Sequence, residues 1–491
     1  MAPDAILRVT EVRAVEARAH GAPLMERAGL AAAEVARRML AVDSTRVLVL
    51  AGPGNNGGDA LVVARWLKAW FFDVEVAFCG DANSLGPDAA AAHQAWHDAG
   101  GRTVREWPEG RFGLIIDGLF GIGLTRAIDG IAAQWIARAN ASALPLLALD
   151  IPSGLDADTG VARSPTVRAS ATATFIALKP GLLTGDGPDH CGTITVHGLE
   201  LDAQCASAAH GSVLAWATQR GAALPAVLGR MQHDVHKGSF GTLAIVGGSD
   251  GMVGAAVLAG RAALHLGAGK VWLGLGATQP PSVDWTQPEL MLRSARTVLD
   301  GAASAMVIGP GLGTGGEARE WVAQALRLPL PLLIDADALN LIAQDAGLAA
   351  AVFARTAPTV MTPHPAEAAR LRATTVDAIQ SDRVAAAISL AAAMNAAVVL
   401  KGAGSVVAYP DGRFAINRSG NAALASAGTG DVLSGMIGAL LAQGIAIDQA
   451  LPLGVCLHGA AADALVADGV GPVGLTASEL APMARRLINS R

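Results

Sequence analysis

Residues 46–60 read RVLVLAGPGNNGGDA, and this stretch decides the fold of the first part of the chain. The short apolar run at 46–50 predicts a buried strand. The glycines after it remove side-chain bulk and offer backbone amides, so the turn can approach an anion closely. Residues 61–70, LVVARWLKAW, predict a helix with Asp59 near its start. Unpaired N–H groups at a helix start attract anions, so the unit reads as strand, phosphate-type loop, helix. It has no GxGxxG pattern and no GK[ST] comes after it, which argues against a dinucleotide fingerprint and a Walker loop.

Further along, residues 426–435 read SAGTGDVLSG and open a predicted helix at 432–442, with Asp431 on its first turn. Here one acid can take a proton from a hydroxyl beside amides that hold a developing phosphoryl charge. Two loops of different design imply two active sites. Between them, short β-rich runs alternate with helical stretches, the signature of α/β layers around a mainly parallel sheet. The runs are 46–50, 74–79, 113–117, 146–151, 171–176 and 193–196, then 241–246, 270–275, 305–308, 331–334, 358–361 and 398–400. The alternation lapses at about 197–228, and neither half contains a repeat. The chain of 491 residues therefore divides into a first domain at 1–210, a linker at 211–228 and a second domain at 229–491.

Composition narrows the function classes. Hydrophobic content is 52% and mean hydropathy +0.40, but the excess is largely alanine. The charge-free stretch at 384–400 is shorter than the roughly 20 apolar residues of a spanning helix; it reads as a helix followed by a buried strand. No membrane association is expected. The net charge of −6 and the lack of Lys/Arg clusters do not support a nucleic-acid partner. Cys79, Cys191, Cys205 and Cys456 form no CxxC pair, and the first residues contain no continuous apolar segment, so a reducing, cytoplasmic setting is expected.

Two further strand ends carry acids beside glycine loops: IIDGLFGIG at 115–123 with Asp117, and LDIPSGLD at 149–156 with Asp150, Ser153 and Asp156. Ligands of open α/β sheets bind beyond the carboxyl ends of strands, so these loops should converge with GPGNNGGD. Lys179, in a KPG turn, could stabilise a phosphate or developing charge or could equally be a surface lysine beside the turn, and it is not assigned a catalytic role.

LMERAG (24–29), GPGNNGGDA, DGLFGIGL (117–124), DIPSGLDADTG (150–160) and ALKPGLLTG (177–185) resemble the NAD(P)HX epimerase, or YjeF N-terminal, domain. The resemblance implies a Rossmann-like three-layer α/β domain. It implies that hydrated NAD(P)H is bound by Asn55, Asn56, Gly57, Gly58 and Asp59, by Gly121, Ile122, Gly123, Leu124, Thr125, Arg126 and Ala127, and by Asp150. It also implies a potassium ion on Asn56, Asp117 and Ser153, oxygen-bearing residues of the kind such a cation takes. Epimerising the hydroxyl-bearing C6 requires a proton moved at a neighbouring atom, and Asp150 is the candidate acid/base.

The second half resembles the ribokinase-like superfamily in its strand, KGAGS (401–405), hairpin and GTGD order. The stretch 236–271, GPGLG (309–313), DADALN (335–340), TPHPAE (362–367) and GTGDVLSG narrow the resemblance to the ADP-dependent NAD(P)HX dehydratase domain. This second resemblance implies contact of Ala256, Gly313, His364 and Asp431 with hydrated NAD(P)H. It implies that Lys401, Gly402, Ala403, Gly404, Ser405 and Gly430 hold the adenine nucleotide, with Asp431 as the base and magnesium on the phosphates. NADHX, NADPHX and ADP are the expected small-molecule partners, and a homo-oligomer is expected. The rival expectation is a ribokinase-like small-molecule kinase joined to a non-catalytic binding or scaffold domain.

Overall fold

The computed structural model describes residues 5–19, 21–41, 45–124, 126–227 and 233–490. The chain forms two compact units, Met1–Ser212 and Val213–Arg491. Both are α/β.

Up to the boundary between the units the strands are β1 (Ala5–Ile6), β2 (Arg46–Ala51), β3 (Asp73–Phe78), β4 (Thr103–Val104), β5 (Leu114–Gly118), β6 (Leu146–Leu149), β7 (Ala171–Phe175), β8 (Thr193–His197) and β9 (Gly211–Leu214). Seven of them form one sheet in the order β4-β3-β2-β5-β6-β7-β8. Every pairing in that sheet is parallel. Parallel sheets are covered on both faces, and the alternation shows it. Val47 and Val49 enter one core with Leu67 and Trp96, whereas Leu48 and Leu50 enter the other with Trp135 and Ile136. The chain runs outward from β2 through β3 to β4, then returns to place β5 on the other side of β2. That reversal is a topological switch point, and it opens a crevice beyond the carboxyl ends of β2 and β5. The turns after these strands touch there: a Cβ on Gly52 would stand 1.7 Å from the Leu119 carbonyl oxygen, so only glycine fits.

The second unit contains β10 (Thr242–Gly247), β11 (Lys270–Leu275), β12 (Met291–Ser294), β13 (Ala305–Ile308), β14 (Leu332–Ile334), β15 (Thr359–Met361), β16 (Ala397–Leu400), β17 (Val406–Ala408) and β18 (Phe414–Asn417). Their order is β18-β17-β16-β15-β14-β13-β10-β11-β12. All neighbours are parallel except the β16–β17 and β17–β18 hairpins. The order reverses again, between β10 and β13. The helix Thr429–Ala442, buried nearly throughout, packs on the helix Val253–His265. Contact is close enough that a Cβ on Gly435 would lie 2.0 Å from the Ala259 carbonyl oxygen. Gly435→Ala is therefore expected to destabilise this unit by about 1–3 kcal/mol, as overpacking does. A lowered thermal midpoint would register it; an unchanged one would mean the helices can part freely.

Most of the residues expected as a linker are regular: β9 is followed by the helix Trp216–Val227, and residue 228 lies outside the described residues. Small and polar residues there hid the helix from a reading of apolar periodicity. The stretch 384–400 forms the expected helix, Arg383–Met394, and buried strand β16. A different helix, Ile447–Ala467, is long and apolar enough to cross a membrane by composition, but 78% of its apolar window is buried inside the fold. It packs against the helix Thr429–Ala442 as a core element.

Candidate active sites

In the first unit the helix begins at Asn55, earlier than expected, so Asn55, Asn56, Gly57, Gly58 and Asp59 are its opening turns. The poor helix formers Asn and Gly masked this start. Glycine is required: a Cβ on Gly57 would fall 1.9 Å from the Gly52 carbonyl oxygen. The helix start, the loop after β5 and the end of β6 line an open cleft of about 1170 Å³. Asn55, Asn56, Asp59, Gly121, Ile122, Gly123, Leu124, Arg126 and Asp150 all reach it. Gly57 and Gly58 instead pack beneath it, Ala127 is exposed away from its walls, and Thr125 lies outside the described residues.

Asp150 directly follows β6 with φ +63°, a left-handed backbone that aims its carboxylate back across the strand ends. One of its oxygens accepts from Lys179 Nζ, from Phe175 N at 3.2 Å and from Thr174 Oγ1 at 3.3 Å. Of the two readings open for Lys179, the surface one fails: its residue exposure is 0%. Its ammonium also donates to Thr174 Oγ1 at 2.9 Å and the Phe175 carbonyl at 2.8 Å. Strand β7 and the KPG turn bring the pair together, which the turn sequence alone gave no means to see. A buried ammonium held by three oxygens fixes the orientation of the Asp150 carboxyl group at the cleft.

Four more acids line this cleft, Glu16, Glu26, Asp59 and Asp88. Burial and the neighbouring Asp150 charge push the Asp59 carboxyl well above the usual range, and the same causes raise Glu16, on the helix Val9–Arg18. Deeper, Asp117 is fully buried at the end of β5. It accepts from Ser153 Oγ at 2.7 Å, Ser153 N at 2.8 Å and Leu119 N at 3.2 Å. Burial nevertheless lifts its carboxyl to about 6, against those hydrogen bonds. Nearby Asn56 is buried, and neither atom of its side-chain amide has a partner among the described residues. An unpartnered amide oxygen and a buried carboxyl group suit a monovalent cation.

In the second unit, successive strand ends deliver successive side chains. Asp335 follows β14, His364 and Glu367 follow β15, and Lys401 follows β16. Asp335 is 1% exposed; one carboxylate oxygen accepts from Lys401 Nζ at 2.9 Å and the other from Ser434 Oγ at 2.7 Å. Lys401 Nζ also lies 3.9 Å from Glu367. His364 is a helix cap: its Nδ1 accepts from Ala366 N at 3.1 Å and Glu367 N at 3.3 Å, and its Nε2 lies 3.3 Å from Glu367 Oε1.

Gly428 adopts φ +86° to start the helix Thr429–Ala442, and no side chain caps it. The amides of Thr429, Gly430 and Asp431 have no acceptor among the described residues. His458 donates its Nε2–H to the Thr429 carbonyl at 2.9 Å; burial lowers its pKa to about 4, so the ring stays neutral. Burial first, then the charges of Asp335, Asp337 and Glu367, push the Asp431 carboxyl up to about 7, opposed by Lys401. An acid poised there beside free amides can accept a proton near neutrality.

Of the other expected residues, Gly313 donates its N–H to Asp337 at 2.8 Å and Ala256 is buried under the Gly247–Gly248 turn. Ser405 Oγ bonds the Gly402 carbonyl at 3.1 Å, closing the turn that carries Ala403 and Gly404. Asp335, Glu367, Ser434 and His458 were not among the expected site residues. The strand-end rule that found Asp117 and Asp150 applies equally to Asp335.

Residues 21–181 match the family described as YjeF-related protein N-terminus, and residues 243–484 match that described as NAD(P)H-hydrate dehydratase. The chain is 40% identical over 479 residues to the bifunctional NAD(P)H-hydrate repair enzyme Nnr of Escherichia coli (strain K12), covering 95% of this chain and 89% of that protein. It is 36% identical over 515 residues to the bifunctional NAD(P)H-hydrate repair enzyme of Leishmania braziliensis, with 95% and 89% covered. Among solved structures it is similar to the ADP/ATP-dependent NAD(P)H-hydrate dehydratase from Bacillus subtilis co-crystallised with ATP/Mg2+, at 32% identity and TM-score 0.49, covering 56% of this chain and 97% of that one. With so high an identity along almost its whole length, the chain belongs to the family of bifunctional NAD(P)H-hydrate repair enzymes.

Proposed function

We propose that the two units repair hydrated NAD(P)H in sequence: residues 1–210 interconvert the R and S epimers, and residues 229–491 dehydrate the S epimer with ADP as phosphoryl donor. The observation that carries this is Asp431, raised to about 7 at a helix start whose amides are free. Asp431 removes the proton of the C6 hydroxyl. The oxygen attacks the terminal phosphoryl group of ADP and AMP departs. The C6–O bond then breaks as a proton leaves C5, giving the C5–C6 double bond and inorganic phosphate. Among the described residues no group of three His, Cys, Asp or Glu side chains is arranged to hold a metal ion. That suits magnesium, which keeps its waters and binds largely through nucleotide phosphates, neutralising their charge. Gly430 and the turn Gly402–Ser405 lie where they can hold that nucleotide.

In the first unit Asp150, held by Lys179, is the group that moves the proton at the reacting end of the substrate. Asn56, Asp117 and Ser153 would hold potassium, whose charge would favour the ionised form of Asp117 and orient an oxygen of the substrate. Because the folded-state pKa of Asp117 is raised to about 6, folding without a cation loses stability as pH rises from its ordinary 3.8 through 6. Potassium at pH 8 is therefore expected to raise the thermal midpoint over a large organic cation of equal ionic strength. Each kcal/mol of linkage is worth about 2–4 °C in a unit of this size. Asp117→Asn should abolish the difference, and equal midpoints in wild type would remove the potassium assignment.

Incubation with mixed NADHX epimers, magnesium and ADP or ATP, followed by NADH absorbance, tests the whole reading. Conversion of both epimers is expected; conversion of the S form alone would overturn the first-unit assignment, and none with either nucleotide would overturn the second. Since the base must be unprotonated, kcat/KM for dehydration should fall with acidity, reaching about a hundredfold below its plateau at pH 5 for a group titrating near 7. A flat profile between pH 5 and 8 would exclude Asp431 as the base.

A further inference from the structure

The ammonium of Lys401 stands in a place that nucleotide holding does not explain. Its stem descends from the end of β16, and the side chain is 19% exposed. Nζ is 2.9 Å from Asp335 and 3.9 Å from Glu367, so Asp335 alone is within hydrogen-bond reach of these two. On another side it faces the catalytic helix: a Cβ built on Gly430 would be 3.4 Å from Nζ. The cation therefore stands beside Gly430, in the opening turn whose unpaired amides belong to Thr429, Gly430 and Asp431, where negative charge is to develop.

Its tether reaches the same helix by a second route. Asp335, at 1% exposure, gives one oxygen to Lys401 and the other to Ser434, which lies one turn beyond Asp431. The buried carboxylate thus ties the end of β16 to the helix that carries the base. Burial of such a pair is unfavourable unless its geometry and hydrogen bonds compensate, and here both carboxylate oxygens are engaged. A lysine needed only to hold a nucleotide through its backbone turn would not require a buried, doubly anchored counter-ion aimed at the base.

We propose that Lys401 is a catalytic residue whose ammonium contacts the phosphoryl group in flight from the nucleotide to the C6 oxygen, and that Asp335, fixed by Ser434, is the positioning residue that holds it there. The inference rests on the dehydratase reading of this site. No bond to lysine is made. The C6 oxygen–phosphorus bond forms, the bond to the AMP oxygen breaks, and the hydroxyl proton passes to Asp431. Lys401 meets the charge spread over the equatorial oxygens, as positioned cations do in phosphoryl transfer. It also favours the carboxylate form of Asp431, which otherwise faces Asp335, Asp337 and Glu367.

The test uses the full chain with saturating (S)-NADHX. For Lys401→Met, kcat of dehydration should fall about 10²–10³-fold, the range for losing one preorganised transition-state contact. Equilibrium affinity for ADP with magnesium should change less than about fivefold, because backbone groups of the 402–405 turn hold the nucleotide. The acid limb of the pH profile should move upward, since the cation that lowers the Asp431 pKa is gone. Lys401→Arg, which keeps the charge, should recover about tenfold or more of the lost kcat. Asp335→Asn, which loosens the tether, should lower kcat with ADP affinity preserved, and it decides the matter if Lys401→Met does not fold. Retained epimerisation in each variant reports that the first unit is intact. A weakened ADP affinity with unchanged kcat at saturation would overturn the proposal. Failure of wild type to release phosphate from (S)-NADHX with ADP or ATP would instead overturn the dehydratase reading, so the two failures are separable.

Discussion

Asp431→Asn is expected to reduce ADP-driven dehydration by about 10²–10⁴-fold, the usual worth of a positioned general base, while leaving epimerisation at its wild-type rate. The amide keeps the shape and the helix-start position but cannot accept the hydroxyl proton. The helix itself should survive, since its packing on Val253–His265 does not use this side chain. The measurement is phosphate release from (S)-NADHX and ADP across pH 5–9. In wild type the acid limb falls through about 7; in the variant that limb should vanish with the activity. A variant that kept a tenth of the wild-type rate would move the base elsewhere, Asp335 and Glu367 being the other carboxylates beside Lys401.

The second large effect concerns Lys179. Removing one member of a buried ion pair strands its partner, typically at about 3–5 kcal/mol. Lys179→Met should therefore lower the thermal midpoint of the first unit and abolish epimerisation, because Asp150 loses the donor that keeps it aimed. The companion double variant, Asp150→Asn with Lys179→Met, separates the two effects. It carries no stranded charge, so much of the lost stability should return while epimerisation stays absent. If the single Lys179 variant interconverted the epimers at the wild-type rate, the pair would be a structural bridge with no part in the chemistry. Chiral separation of the substrate epimers over time would show which.

The parallel strands of both sheets were readable because central strands are continuous apolar runs, and 46–50 and 305–308 left little choice. Edge elements were not. β4 is two residues long and β12 is largely exposed, so neither carries the apolar signal that marks a central strand. The candidate sites divide the same way. Asp117 and Asp150 stand at strand ends beside glycine loops, and Asp431 is on the first turn of a helix that a glycine loop opens. Lys179, Ser434 and His458 take their meaning from partners distant in sequence, such as Asp150, Asp335 and Thr429, and burial alone reveals it. The surface reading of Lys179 failed for that reason: a KPG turn reads as exposed unless the strand that covers it is known.

Each sheet reverses its strand order beside its own central strand, and each crevice is walled by strand ends of its own unit. Selection can then alter the walls of one crevice without disturbing the other. Epimer interconversion and dehydration can be tuned at different rates over evolutionary time, although one polypeptide guarantees that a cell makes them in equal numbers.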